Sequence, residues 1–129
     1  MSSFIAETFN PTPVLLDEGH SDSCILACPH CRGDYLHHTG VSIYERECED
    51  GATTEFRISA GRGDVGLDPD QNRRATAIQI RQDTARDNPS DRRGGIAIRF
   101  YCEFCNKSSE LIVSQHKGNS YFAWRTPCR

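Results

Sequence analysis

A chain of 129 residues, 36% hydrophobic and 26% charged, suits a single domain with a modest core. Its net charge of −3 gives no general attraction to nucleic acid or an anionic membrane, and no run approaches the roughly eighteen apolar residues of a membrane span. No signal peptide is readable in Met1 to Asn10, so the seven cysteines are expected in the reducing cytoplasm, where thiolates bind metal rather than oxidise.

Residues 1–23 read as an N-terminal arm, with Pro13-Val14-Leu15-Leu16 as a short edge strand and Asp17-Glu18-Gly19-His20 as a turn. Residues 24–129 read as the folded domain. Cys24-Ile25-Leu26-Ala27 leads into a first cysteine hook, Cys28-Pro29-His30-Cys31. Tyr35 to Glu47 alternates as a strand does, with Val41, Ile43 and Glu45 on one side and Ser42, Tyr44 and Arg46 on the other. Glu49-Asp50-Gly51 supplies a hairpin turn, and Thr53 to Ile58 is the return strand.

Residues 59–95 are expected to be an insert of low order. Gly61, Gly63, Gly66, Pro69, Pro89, Gly94 and Gly95 sit among charges there, and the one strand-like stretch is Ala75 to Gln82. Alternation returns at Ile96, Ile98 and Phe100, which deliver the chain into a second hook, Cys102-Glu103-Phe104-Cys105. Leu111 to Gln115 and Tyr121 to Trp124 form a last hairpin around Gly118-Asn119. No segment holds a helical apolar period over three turns, so the fold class expected is all-β and antiparallel.

Two C-x2-C hooks are the strongest chemical signal. Each presents two thiols on a tight turn, half the cage of a tetrahedral ion, and together Cys28, Cys31, Cys102 and Cys105 make the donor set of one structural Zn2+. The separation is unusual, since Cys31 and Cys102 are 71 positions apart against roughly 15–20 in compact sites. Loop closure grows only logarithmically with length, so the excursion is tolerable. Disulfides or buried thiols are the plain alternative, and a redox C-x-x-C would need a helix that the pattern does not offer.

Cys28 to Gly33 and Cys102 to Lys107 resemble the two knuckles of the zinc-ribbon class, which implies paired β-hairpins sharing one zinc. More loosely, Cys28 to Arg46 and Ile96 to Trp124 look like small proteins of actinobacteria and their phages, a likeness that implies no activity.

Cys24, Cys48 and Cys128 remain as spare thiols, read first as small buried or surface side chains. Cys24, four residues before Cys28, is the one placed to substitute as a ligand, and His30, within the first hook, shapes the turn or serves as an alternative ligand. His37-His38 cannot present both rings to one face of a strand. Tyr121, Phe122 and Trp124 suit either sheet packing or base stacking. Arg62-Gly63-Asp64 matches an adhesion tripeptide by chance, and Asn106-Lys107-Ser108 fits a glycosylation acceptor that is void without export.

No catalytic constellation is visible, and four cysteines leave a zinc ion no open position for water. The expected function is a non-enzymatic zinc-stapled β domain that binds a protein partner. A nucleic-acid-binding ribbon, using Arg73, Arg74, Arg81, Arg86, Arg92 and Arg93, is the alternative, and no membrane role is expected.

Overall fold

The computed structural model describes residues 25–59 and 78–127 in full, together with the backbone of 8–10, 14–16 and Ala77. Among the described residues nine strands follow in chain order: β1 (Thr8–Asn10), β2 (Val14–Leu16), β3 (Ile25–Ala27), β4 (Leu36–Arg46), β5 (Thr53–Ser59), β6 (Ala77–Gln82), β7 (Gly95–Cys102), β8 (Ser108–His116) and β9 (Asn119–Arg125). The described residues contain no helix, so the protein is all-β, as the alternation predicts. β2 and β3 form a separate two-stranded ladder.

The other strands form one antiparallel sheet of order β1-β9-β8-β7-β4-β5-β6. It joins two meanders, β4-β5-β6 and β7-β8-β9, through the long β4·β7 ladder. Because β4 begins just after the first hook and β7 ends in the second, their antiparallel pairing brings the hooks to one end, with Leu36 opposite Cys102. The ladder shifts register between His38 and Gly40. A Cβ on Gly40 would lie 2.5 Å from Arg99 Nη2 and 2.6 Å from the Ile58 carbonyl, so only glycine leaves that guanidinium its place.

Register lines up the faces. One row runs Ile80, Phe56, Ile43, Ile96, Val113, Phe122 across six strands, and the next runs Ile78, Ile58, Val41, Ile98, Leu111, Trp124. Every position in both rows is apolar. The opposite face is mostly polar: one of its rows runs Gln79, Arg57, Ser42, Ala97, Ile112, Ala123.

The polar face is the better buried one. Its small core cluster is Tyr44, Ala97 and Ile112, packed with Ala123, and beside it Ser42, Glu55, Glu110 and Arg125 are sealed from water. Buried charges are tolerated when paired and hydrogen-bonded. Arg125 Nε donates to Glu110 Oε1 at 2.7 Å, and Glu55 receives Arg81 at 3.2 Å, Arg57 at 3.4 Å and the Ser42 hydroxyl.

Part of the expected low-order insert contributes to this arrangement. Residues 83–94 carry little apolar surface, yet Thr84, Asp87, Asn88 and Ser90 are buried. They are held by polar contacts: Arg125 Nη2 donates to the Asp87 carbonyl at 2.8 Å, and the Ser90 hydroxyl accepts from the Gln115 amide at 2.9 Å. Arg46 gathers four carbonyls, those of Gly51, Ser90, Asp91 and Arg93, at 2.8–3.2 Å. Hydrogen bonds to charged donors thus supply what apolar burial does not. The other flank, 60–76, lies outside the described residues, as does most of the N-terminal arm.

Candidate metal centre

Both hooks adopt the same turn. In the first, the Cys28 amide donates to the Gly33 carbonyl at 2.8 Å and the Arg32 amide to the Cys28 carbonyl at 2.9 Å. In the second, the Cys102 amide donates to the Lys107 carbonyl at 3.0 Å and the Asn106 amide to the Cys102 carbonyl at 2.9 Å. The residue after each second cysteine turns left-handed, Arg32 at φ 66° and Asn106 at φ 62°. Asparagine enters that region readily and arginine does not, so the first turn is held by its context.

The hooks meet crosswise. Cys28 Sγ lies 3.7 Å from Cys105 Sγ, and Cys31 Sγ lies 3.6 Å from Cys102 Sγ. All four sulfurs fall within 4.8 Å of one another. Four thiolates about 2.3 Å from a tetrahedral ion stand roughly 3.8 Å apart, close to the distances of the two crosswise pairs. A disulfide needs about 2.05 Å. The four cysteines therefore form a plausible metal-binding site, consistent with zinc.

The surroundings treat the sulfurs differently. The His30 amide donates to Cys28 Sγ and the Gly33 amide to Cys31 Sγ, each at 3.3 Å. Burial pushes the Cys28 thiol up to about 12, against the backbone donors of Cys31 and His30. Burial also opposes ionisation of Cys102, but the Cys105 and Phe104 amides and the neighbouring thiols outweigh it and bring it down to about 7. Four such sulfurs cannot all ionise together without a cation among them.

Aromatic packing locks one hook to the other. The Phe104 ring stacks on Tyr35 with centroids 5.1 Å apart, and a Cβ at Gly33 would reach within 2.3 Å of Phe104 Cδ2. His37 Nε2, on the strand leaving the first hook, lies 2.7 Å from Glu103 Oε1 in the second. Sequence reasoning singled out neither contact. The glycine directly after the C-x2-C-Arg turn was the available signal, but its meaning depends on a ring 71 residues away.

The remaining candidates fall elsewhere. Cys48 is exposed beyond the end of β4, outside the cluster. Cys24 and Cys128 lie outside the described residues. His30 contributes its backbone amide to the first hook, and the metal-ligating group found among the described residues consists of the four thiols. Trp124 is buried edge-on against Phe100 at 5.8 Å, whereas Tyr121 and Phe122 are half-exposed on opposite faces. No described helix is long and apolar enough to cross a membrane.

Comparison with known proteins finds no matching family, no matching curated protein and no matching solved structure. The likeness to zinc ribbons accordingly rests on the local geometry of the two knuckles, and the likeness to actinobacterial and phage proteins has no relative behind it.

Proposed function

We propose that the protein is a non-enzymatic β domain stapled by one structural zinc ion on Cys28, Cys31, Cys102 and Cys105, and that it works by binding protein, as an assembly or regulatory module. The observation that carries this reading is the complete four-thiol set, gathered within 4.8 Å, whose two crosswise pairs stand near the spacing of thiolates around one tetrahedral ion. An ion so held keeps no position for water or substrate, which suits a staple and not a hydrolytic centre. Among metals that take soft thiolates, zinc favours the closed tetrahedral arrangement of four cysteines and needs no redox partner.

The nucleic-acid alternative draws less support. Of the arginines it would use, Arg81 pairs with Glu55, Arg92 with Glu49 and Asp50, and Arg93 with Glu49, while Arg73 and Arg74 lie outside the described residues. Such pairing cancels the local field that a phosphate backbone would follow.

Native mass spectrometry of the protein isolated under reducing conditions from cells that make it tests the reading. One zinc per chain, with at least one bound polypeptide, a second copy included, is the expected result. A chain free of metal, or a zinc-loaded chain with no polypeptide companion of any kind, overturns it.

A further inference from the structure

The two apolar rows are the least explained surface of the molecule. Twelve consecutive cross-strand positions on six strands carry no charge and no polar side chain. Seven of them are exposed, from 36% at Ile96 to 74% at Ile78. A fully exposed Ile or Phe presents roughly 200 Å2, so these seven leave on the order of 700 Å2 of apolar surface in water. The largest such patch on an ordinary monomer is about 300–600 Å2. Sheets normally turn the apolar face inward and the polar face out; here the polar face is the one packed under residues 83–94.

We infer that this face is the contact surface of a homodimer, in which two copies of the chain stack sheet on sheet to form a β-sandwich. The inference rests on the protein-binding reading above and names its partner.

Three observations select a second copy as the occupant. The first is area: about 700 Å2 from each chain gives roughly 1,400 Å2 in all, inside the range of about 1,200–2,000 Å2 for stable specific interfaces. The second is charge. Each chain carries −3, but none of it lies in the two rows, so the face meets its own image without setting like charges opposite each other. The third is composition. Outside the residues described in full the large apolar side chains number nine, Met1, Phe4, Ile5, Phe9, Val14, Leu15, Leu16, Val65 and Leu67, fewer than the twelve positions of the face. Two sheet faces packed about 10 Å apart would bury both sets, and the hooks at the end of each sheet would stay clear of the contact.

Sedimentation velocity of the zinc-loaded full chain, from about 1 to about 100 µM, reads the assembly directly. Twice the chain mass is expected at the upper end. Ile43→Asp, near the centre of the face, and Ile80→Asp, on β6 and already 62% exposed, are each expected to weaken dimerisation at least about tenfold while retaining one zinc per chain. Ile80 adds little to the folded monomer, so its variant reports on association even where Ile43→Asp disturbs the fold.

Hydroxyl-radical footprinting of the wild-type chain needs no variant: Phe56 and Phe122 should become protected as concentration rises through the dimer transition. A wild-type chain that stays monomeric at about 100 µM overturns the inference. So does a dimer that Ile80→Asp leaves intact together with unprotected Phe56 and Phe122. Protection of both rings at every concentration in a monomer would assign the face to the chain's own remaining residues. A monomer with reactive rings that still carries another polypeptide would leave the protein-binding reading standing and sink only the second copy.

Discussion

Glu110 and Arg125 face each other directly across β8 and β9, joined at 2.7 Å and both about 2% exposed. Arg125 also donates to the Asp87 carbonyl, so one guanidinium ties the sheet to the segment covering its polar face. Removing one partner strands a buried charge. Arg125→Leu or Glu110→Leu should each lower stability by about 3–5 kcal/mol in urea unfolding, while the double substitution should lose less than the sum of the two. Additive losses would mean that the carboxylate and guanidinium do not act as a pair.

The four-cysteine site joins residues up to 77 positions apart, so its loss should not stay local. Cys105→Ser or Cys28→Ser is expected to release the metal and remove most of the β circular-dichroism signal, because a structural zinc contributes about 10–16 kcal/mol against a typical total stability of about 5–15. Chelation of the wild type should do the same. Protons and metal compete for the thiolates, so affinity should fall as pH is lowered, which a competition titration with a coloured chelator follows. A variant with native spectra and unchanged melting would remove the staple from the account.

Gly33 and Phe104 make a narrower test of how the hooks are held. Gly33→Ala sets a methyl group within 2.3 Å of the Phe104 ring, and should lower stability by about 1–3 kcal/mol. Adding Phe104→Leu to Gly33→Ala should recover part of that loss, although Phe104→Leu alone gives up the Tyr35 stack. Thermal melts of the two single variants and the double variant check the sign of the coupling.

Tyr44 gives a pH signature. Burial, and then the nearby Glu55 carboxylate, raise its phenol well above the ordinary tyrosine value. A group whose folded value is raised stabilises the fold fully below its unfolded pKa of about 10, and that contribution is lost as pH climbs above it. Tyr44 should therefore resist ionisation until the protein unfolds in alkali. Tyr44→Phe should abolish this late phenolate absorbance step and blunt the alkaline fall in stability.

Strand positions were legible because alternation is local: Ile96, Ile98 and Phe100 announce β7 without reference to any other strand. The hooks were legible for the same reason, since C-x2-C spacing alone sets two thiols on one turn. The packing of residues 83–94 was not. Its anchors are Arg46 and Arg125, side chains whose partners are backbone carbonyls 38 to 47 positions away or, for Gly51, across the β4–β5 turn. A guanidinium reaching for a carbonyl leaves no periodic trace.

Sequence by itself determined the all-β class, the membership of each face and the four candidate ligands, since each follows from a two-residue period or a three-residue spacing. Tertiary structure decided the rest. The β4·β7 ladder chose the crosswise partners, Cys28 with Cys105 and Cys31 with Cys102, because antiparallel register brings Leu36 opposite Cys102. It also decided which face is covered. Alternation sorts Ile43 from Tyr44, but only long-range polar contacts decide that Tyr44 is buried while Ile43 stays at the surface.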